Sequence, residues 1–137
     1  MLIWLVLIPL IAAALIGLCK APARPTALLS ASLTLALGIW ALVSFDGCSS
    51  CWSRFEGMDL QLTLAPALSK VMLLLTILVT FATVLGTNPP QGGEASWYNS
   101  ALLISAGATG AFLSDNMISF FAFHELALIP TFVMIGL

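Results

Sequence analysis

Charge is what this sequence has least of. Only 7% of its 137 residues are Asp, Glu, Lys or Arg: four cations against six acids, for a net charge of −2. So few cations leave no basic stripe to neutralise phosphates, which excludes a nucleic-acid-binding surface. Disorder is excluded as well, because a chain kept unfolded by its composition is poor in apolar residues and rich in charge. Here 61% of residues are hydrophobic and the mean hydropathy is +1.11, far beyond a water-soluble domain. Histidine occurs once, tyrosine once and cysteine three times. No nucleotide-binding loop, haem pair or catalytic triad is present, and no metal-ligand spacing is complete.

What is there is a series of long uncharged runs with the charges at their edges: residues 1–19, 25–45, 71–93, 95–114, and 116–137 broken by one glutamate. Hydrocarbon offers no hydrogen bonds, so each run must fold as a helix, and about 20 residues at ~1.5 Å rise span a ~30 Å core. The expectation is an all-α polytopic membrane protein in a single membrane domain, 1–137, with about five transmembrane helices at 2–19, 26–45, 65–87, 97–113 and 116–137. The first run is read as a retained helix. A cleaved signal needs a positive start, whereas Lys20 and Arg24 follow the apolar stretch; a lipoprotein acceptor role for Cys19 fails for the same reason.

Punctuation supports these boundaries. Pro9 predicts a kink within the first helix, and the connector Lys20-Ala21-Pro22-Ala23-Arg24-Pro25 is short, proline-rich and doubly cationic. Thr26 is placed to cap the second helix. Residues 46–64 form the longest polar stretch and read as an exposed loop, although Leu60-Gln61-Leu62-Thr63-Leu64 alternates as a strand or interfacial segment would. Asn88-Pro89-Pro90-Gln91-Gly92-Gly93-Glu94 is a loop, and Ser114-Asp115-Asn116 is a turn. The two cations of the first connector set it on the cytoplasmic side, which places the N-terminus outside. Lys70, near the outer end of the third helix, departs from that rule and can snorkel to the headgroups.

Glu125 is the residue with most chemistry to explain. Nine residues past Asn116, or roughly 14 Å along a helix, it lies close to the midplane. A carboxylate at that depth costs ~2.5–3.5 kcal/mol on insertion scales, so it should face a bundle interior or water and be paired or protonated. Desolvation favours the neutral acid and an adjacent cation favours the carboxylate, so a movable lysine would make it a proton switch. The plainer alternative is a protonated acid serving as an interhelical donor. His124 points about 100° away around the helix and can extend a relay, or merely bond a neighbouring helix. Pro130 leaves the Leu126 carbonyl without its helical amide, as a polar route or as a packing kink. Phe112, Phe120, Phe121 and Phe123 either shield the carboxylate or pack ordinarily. Small residues spaced four apart, Ala106 with Gly110 and Gly107 with Ala111, permit close helix approach. Cys48-Ser49-Ser50-Cys51 reads as a loop staple or as two incidental thiols.

The run Phe112-Leu113-Ser114-Asp115-Asn116-Met117, followed by Phe120-Phe121-Ala122-Phe123-His124-Glu125-Leu126-Ala127-Leu128-Ile129-Pro130-Thr131-Phe132, resembles the fourth-to-fifth helix signature of the antiporter-like subunits of respiratory complex I. It is most similar to subunit M of bacterial NADH-quinone oxidoreductase, and to the N-terminal portion of that fold. Pro66-Ala67-Leu68-Ser69-Lys70 and the opening Leu7-Ile8-Pro9-Leu10 add to the likeness, while Pro66 and His124 depart from the family's acidic and aromatic residues. The resemblance implies that Glu125 is the family's helix-five glutamate, active in proton translocation with a lysine on a later helix; Lys70 is a further candidate within this chain. It implies no cofactor here, since NADH, flavin, iron-sulfur clusters and quinone fall to other subunits. It also implies partners in the other membrane subunits of complex I, with the remaining helices on a companion chain, in a bacterial inner membrane. Mrp-type cation/proton antiporters and membrane-bound hydrogenases share the signature, and a noncatalytic membrane scaffold is the rival from another class.

Overall fold

The computed structural model describes residues 2–19, 22–44, 49–55, 58–63, 67–89 and 92–136. Five helices follow one another, α1 (Leu2–Cys19), α2 (Ala23–Ser44), α3 (Ala67–Gly86), α4 (Glu94–Leu113) and α5 (Met117–Ile135). Between α2 and α3 lie two strands, β1 (Ser49–Phe55) and β2 (Met58–Thr63). The strands pair antiparallel from Ser49↔Thr63 to Phe55↔Met58, with an irregularity between Cys51 and Ser53. Within the stretch expected to be a loop, the described residues 49–55 and 58–63 are therefore paired strands, and the alternation at its end is the strand period showing through. Cys48 lies outside the described residues, and with it the proposed staple.

Two apolar clusters fix the direction of every helix. Leu2 and Leu5 of α1 meet Ala41 of α2, Leu73 of α3 and Leu113 of α4 at one end, with Phe123 of α5 packed against them. At the other end Ala12 and Ile16 meet Ala27 and Ala31, Val84, and Trp97 to Leu102, with Met134 alongside. Start meets end in each case, so successive helices run in opposite directions. The hairpin touches α1 and α4. Trp4 and Trp40 lie exposed near the end where α1 starts and α2 stops, as indoles do at a membrane interface.

Helix ends obey local chemistry, which moves two of the expected boundaries. α2 begins at Ala23 because the Pro22 carbonyl accepts both the Thr26 amide, at 3.3 Å, and the Thr26 hydroxyl, at 2.7 Å. Thr26 thus closes the first turn instead of capping it, and Pro25, inside that turn, forgoes an amide that has no helical partner there. α4 begins at Glu94, where the Gly93 carbonyl takes the Trp97 amide at 2.9 Å and a first-turn carboxylate complements the helix dipole. The turn before it needs glycine at Gly92, whose φ is +90°. Asn116 caps α5, its Oδ1 accepting the Ser119 amide at 2.7 Å. Pro9 sits buried inside an unbroken α1.

Three of the helices, α2, α3 and α5, are long and apolar enough to cross a membrane, and 2–18 is a shorter apolar helix. α4 falls short of that apolarity because it is the inner helix. It touches α1, α2, α3 and α5, and buries Ser100, Ser105, Thr109, Gly107 and Gly110 among others. A helix insulated from lipid by its neighbours can carry hydroxyls and glycines that a lipid-facing helix cannot.

Candidate functional site: the middle of α5

α5 meets α4 through one side only. A Cβ at Gly107 would lie 2.8 Å from the Phe123 carbonyl oxygen and 2.9 Å from the Ala127 amide nitrogen, and one at Gly110 would enter the Phe123 ring. The two glycines, three residues apart, let the backbones touch. The close approach uses Gly107 and Gly110, one from each of the four-residue pairs of small residues; one glycine admits a backbone and the other a phenyl ring. Phe123, Ala127 and the buried Pro130 form the inward side of α5.

Glu125 lies two residues beyond Phe123, about 200° around the helix, and so points away from α4. It is exposed, and its carboxylate makes no hydrogen bond or ion pair with a described residue. Around it on the same outer face, Ile118, Phe121, Leu128, Ile129 and Phe132 are all exposed. The expectation of an interior carboxyl is not met within these five helices: the close α4–α5 contact is made by the opposite side, which turns the acid outward. Nor do the phenylalanines form a common shield. Phe123 packs inward, Phe121 faces out edge-on to Phe120 at 6.0 Å between centroids, and Phe120 stacks on His124, also at 6.0 Å.

His124 is exposed beside Glu125, held by that stack. Lys70 is half-buried in the first turn of α3 and already engaged by a neighbour. The structure does not bring it to Glu125: α3 and α5 flank α4 without a substantial interface of their own, and Lys70 sits near a helix end whereas Glu125 is the ninth of nineteen residues. Past Pro130 the Thr131 hydroxyl donates to the Ala127 carbonyl at 2.7 Å, next to the Leu126 carbonyl that the proline leaves without an amide. Sequence reasoning missed a row of hydroxyls on α3, whose threonines 76, 80 and 83 recur at the helical period.

The class defined by these features is a polytopic helical membrane protein with one carboxyl halfway along a span. Comparison with known proteins narrows it. No family model matches the sequence. F(420)H(2) dehydrogenase subunit M of Methanosarcina mazei is 24% identical over 143 residues, covering 97% of this chain and 29% of that protein. NADH-quinone oxidoreductase subunit M of Pseudomonas aeruginosa is 31% identical over 153 residues, covering 98% of this chain and 30% of that protein. Among solved structures, the membrane-bound sulfane sulfur reductase, an archaeal respiratory membrane complex, superposes with a TM-score of 0.80 at 25% identity. That match covers 95% of this chain and 22% of the other. The likeness to antiporter-like subunit M is therefore borne out along nearly the whole chain, and the chain spans about 30% of the length of the curated relatives it matches.

Proposed function

We propose that this chain is part of a membrane subunit of a complex I-like respiratory complex, in which Glu125 takes up and passes on a proton in step with quinone reduction elsewhere in the complex. The observation that carries the reading is a lone carboxyl halfway along α5, ringed on its own face by exposed apolar side chains. Against lipid it would cost ~2.5–3.5 kcal/mol. Under a further helix bearing a cation or a donor, the same acid alternates between charged and neutral as that partner approaches and withdraws. The relatives, subunit M of F(420)H(2) dehydrogenase and of NADH-quinone oxidoreductase, are more than three times the length of this chain, which leaves room for such a cover. His124 and the unpaired Leu126 carbonyl offer polar steps along α5, and Lys70 offers a charge at the end where α3 begins. By the cation count of the 20–25 connector, that end and the N-terminus lie outside a bacterial inner membrane.

The test is Glu125→Gln in the assembled complex, with proton translocation and electron transfer measured side by side. Translocation is expected to fall about a hundredfold or more, the scale of a lost proton-transfer group, with the complex still assembled. Unchanged translocation overturns the proposal and leaves Glu125 as a structural donor.

A further inference from the structure

Helix geometry ties the direction of Glu125 to two glycines that it does not touch. At about 100° per residue, Phe123 and Ala127 lie about 200° from Glu125 in opposite senses, so they straddle the line diametrically opposite its carboxyl. Each is seated on a glycine of α4. A Cβ at Gly107 would stand 2.9 Å from both the Cβ and the amide nitrogen of Ala127, and one at Gly110 would enter the Phe123 ring. A turn of α5 in one sense drives the ring across α4, and a turn in the other drives Ala127, so the two contacts resist rotation both ways. Little else does. Among the described elements α4 is the one with a substantial α5 interface, and the two buried residues of α5, Ser119 and Pro130, lie on the same half of the helix as Phe123 and Ala127. α5 carries no apolar stripe, so burial of apolar surface sets no rotation of its own.

Rotation matters more to an acid than to an apolar side chain. A carboxyl about 6 Å from the helix axis swings by about 2 Å when the helix turns by about 20°. Proton transfer needs heavy atoms within about 2.6–3.2 Å, or one water between them, so a swing of that size takes the acid out of reach of a fixed partner.

We infer that Gly107 and Gly110 are positioning residues for Glu125: with Ala127 and Phe123 seated on them, they fix the rotation of α5 and through it the direction in which the carboxyl exchanges its proton. The inference rests on the proposed role of Glu125 and extends it to two residues that meet neither the proton nor its partner.

Gly110→Ala in the assembled complex tests it. Alanine is favoured over glycine in a helix by about 1 kcal/mol, so α4 keeps its fold while the new methyl displaces the ring. Proton translocation is expected to fall about tenfold, the effect of a misdirected proton-transfer group. The carboxyl C=O band seen by infrared during turnover, and absent in Glu125→Gln, is expected to change frequency, because the hydrogen bonding of the acid changes with its direction. Adding Phe123→Leu, which withdraws the ring from the new methyl, should return translocation to within about threefold of the native chain and restore the band. Gly86→Ala, at the end of α3 with nothing within 4 Å of the added Cβ, should leave both unchanged. If Gly110→Ala fails to assemble, Phe123→Leu alone should broaden the band as rotation is freed, and an unaltered band there overturns the inference. Native translocation in Gly110→Ala overturns it too, as does a loss with the band in place, or one that Phe123→Leu does not relieve: the glycine then serves packing alone. A normal Glu125→Gln overturns the role of the acid and this inference with it, whereas a defective Glu125→Gln beside a normal Gly110→Ala overturns this inference only.

Discussion

α4 and α5 are joined by a three-residue turn and differ in length by one residue, yet α4 buries eleven residues and α5 two. Polarity does not predict that contrast. The helix with more serine, threonine and glycine is inside, and the helix with more phenylalanine and isoleucine is outside. In a bilayer the inside of a bundle is where small and hydroxylated side chains are tolerated, because neighbouring helices satisfy them, while the apolar surface is the default exterior. Glu125 violates the rule for α5 as the hydroxyls obey it for α4, and an acid on the default exterior is what the proposed covering partner accounts for.

Filling the α4–α5 contact should have the largest effect. Gly110→Leu forces a side chain into the Phe123 ring and should cost about 3 kcal/mol or more, measured as loss of α5 protection in hydrogen exchange. Phe123→Ala in the same chain should recover part of that loss by reopening the space. Next in size is Glu125→Gln, where the expected hundredfold fall in translocation corresponds to about 2.7 kcal/mol of barrier and global stability should hardly move. Asn116→Ala removes the cap that orients α5 on α4 and should cost about 1 kcal/mol by thermal unfolding in detergent. Ser105→Ala removes the interhelical partner of the Thr80 hydroxyl and should cost about 0.6 kcal/mol. Leu85→Val, on the outer side of α3, should stay within about 0.5 kcal/mol and sets the baseline.

Much of this arrangement is legible in the residues. Five uncharged runs become five helices because hydrocarbon leaves no alternative, and Asn116 caps α5 because an Asx side chain before an apolar run has a free amide to bind. The threonine at 26 misleads, because its hydroxyl reaches back to the Pro22 carbonyl and lengthens α2 by three residues. The glycine pairing is legible only in part: the spacing of small residues points to close approach, but whether the neighbour inserts a backbone or a ring is a tertiary fact. The orientation of Glu125 is not legible at all. α5 is apolar on every side, so its sequence carries no period that says which side meets α4, and only the fit of Phe123 and Ala127 over Gly110 and Gly107 decides it.

Infrared difference spectroscopy of the assembled complex during turnover reads the protonation of Glu125 directly. A protonated-carboxyl C=O band that rises and falls with turnover, and vanishes in Glu125→Gln, is the predicted result. A carboxyl band that stays constant through turnover, or a turnover-dependent band that survives in Glu125→Gln, would contradict a proton-carrying role for this acid.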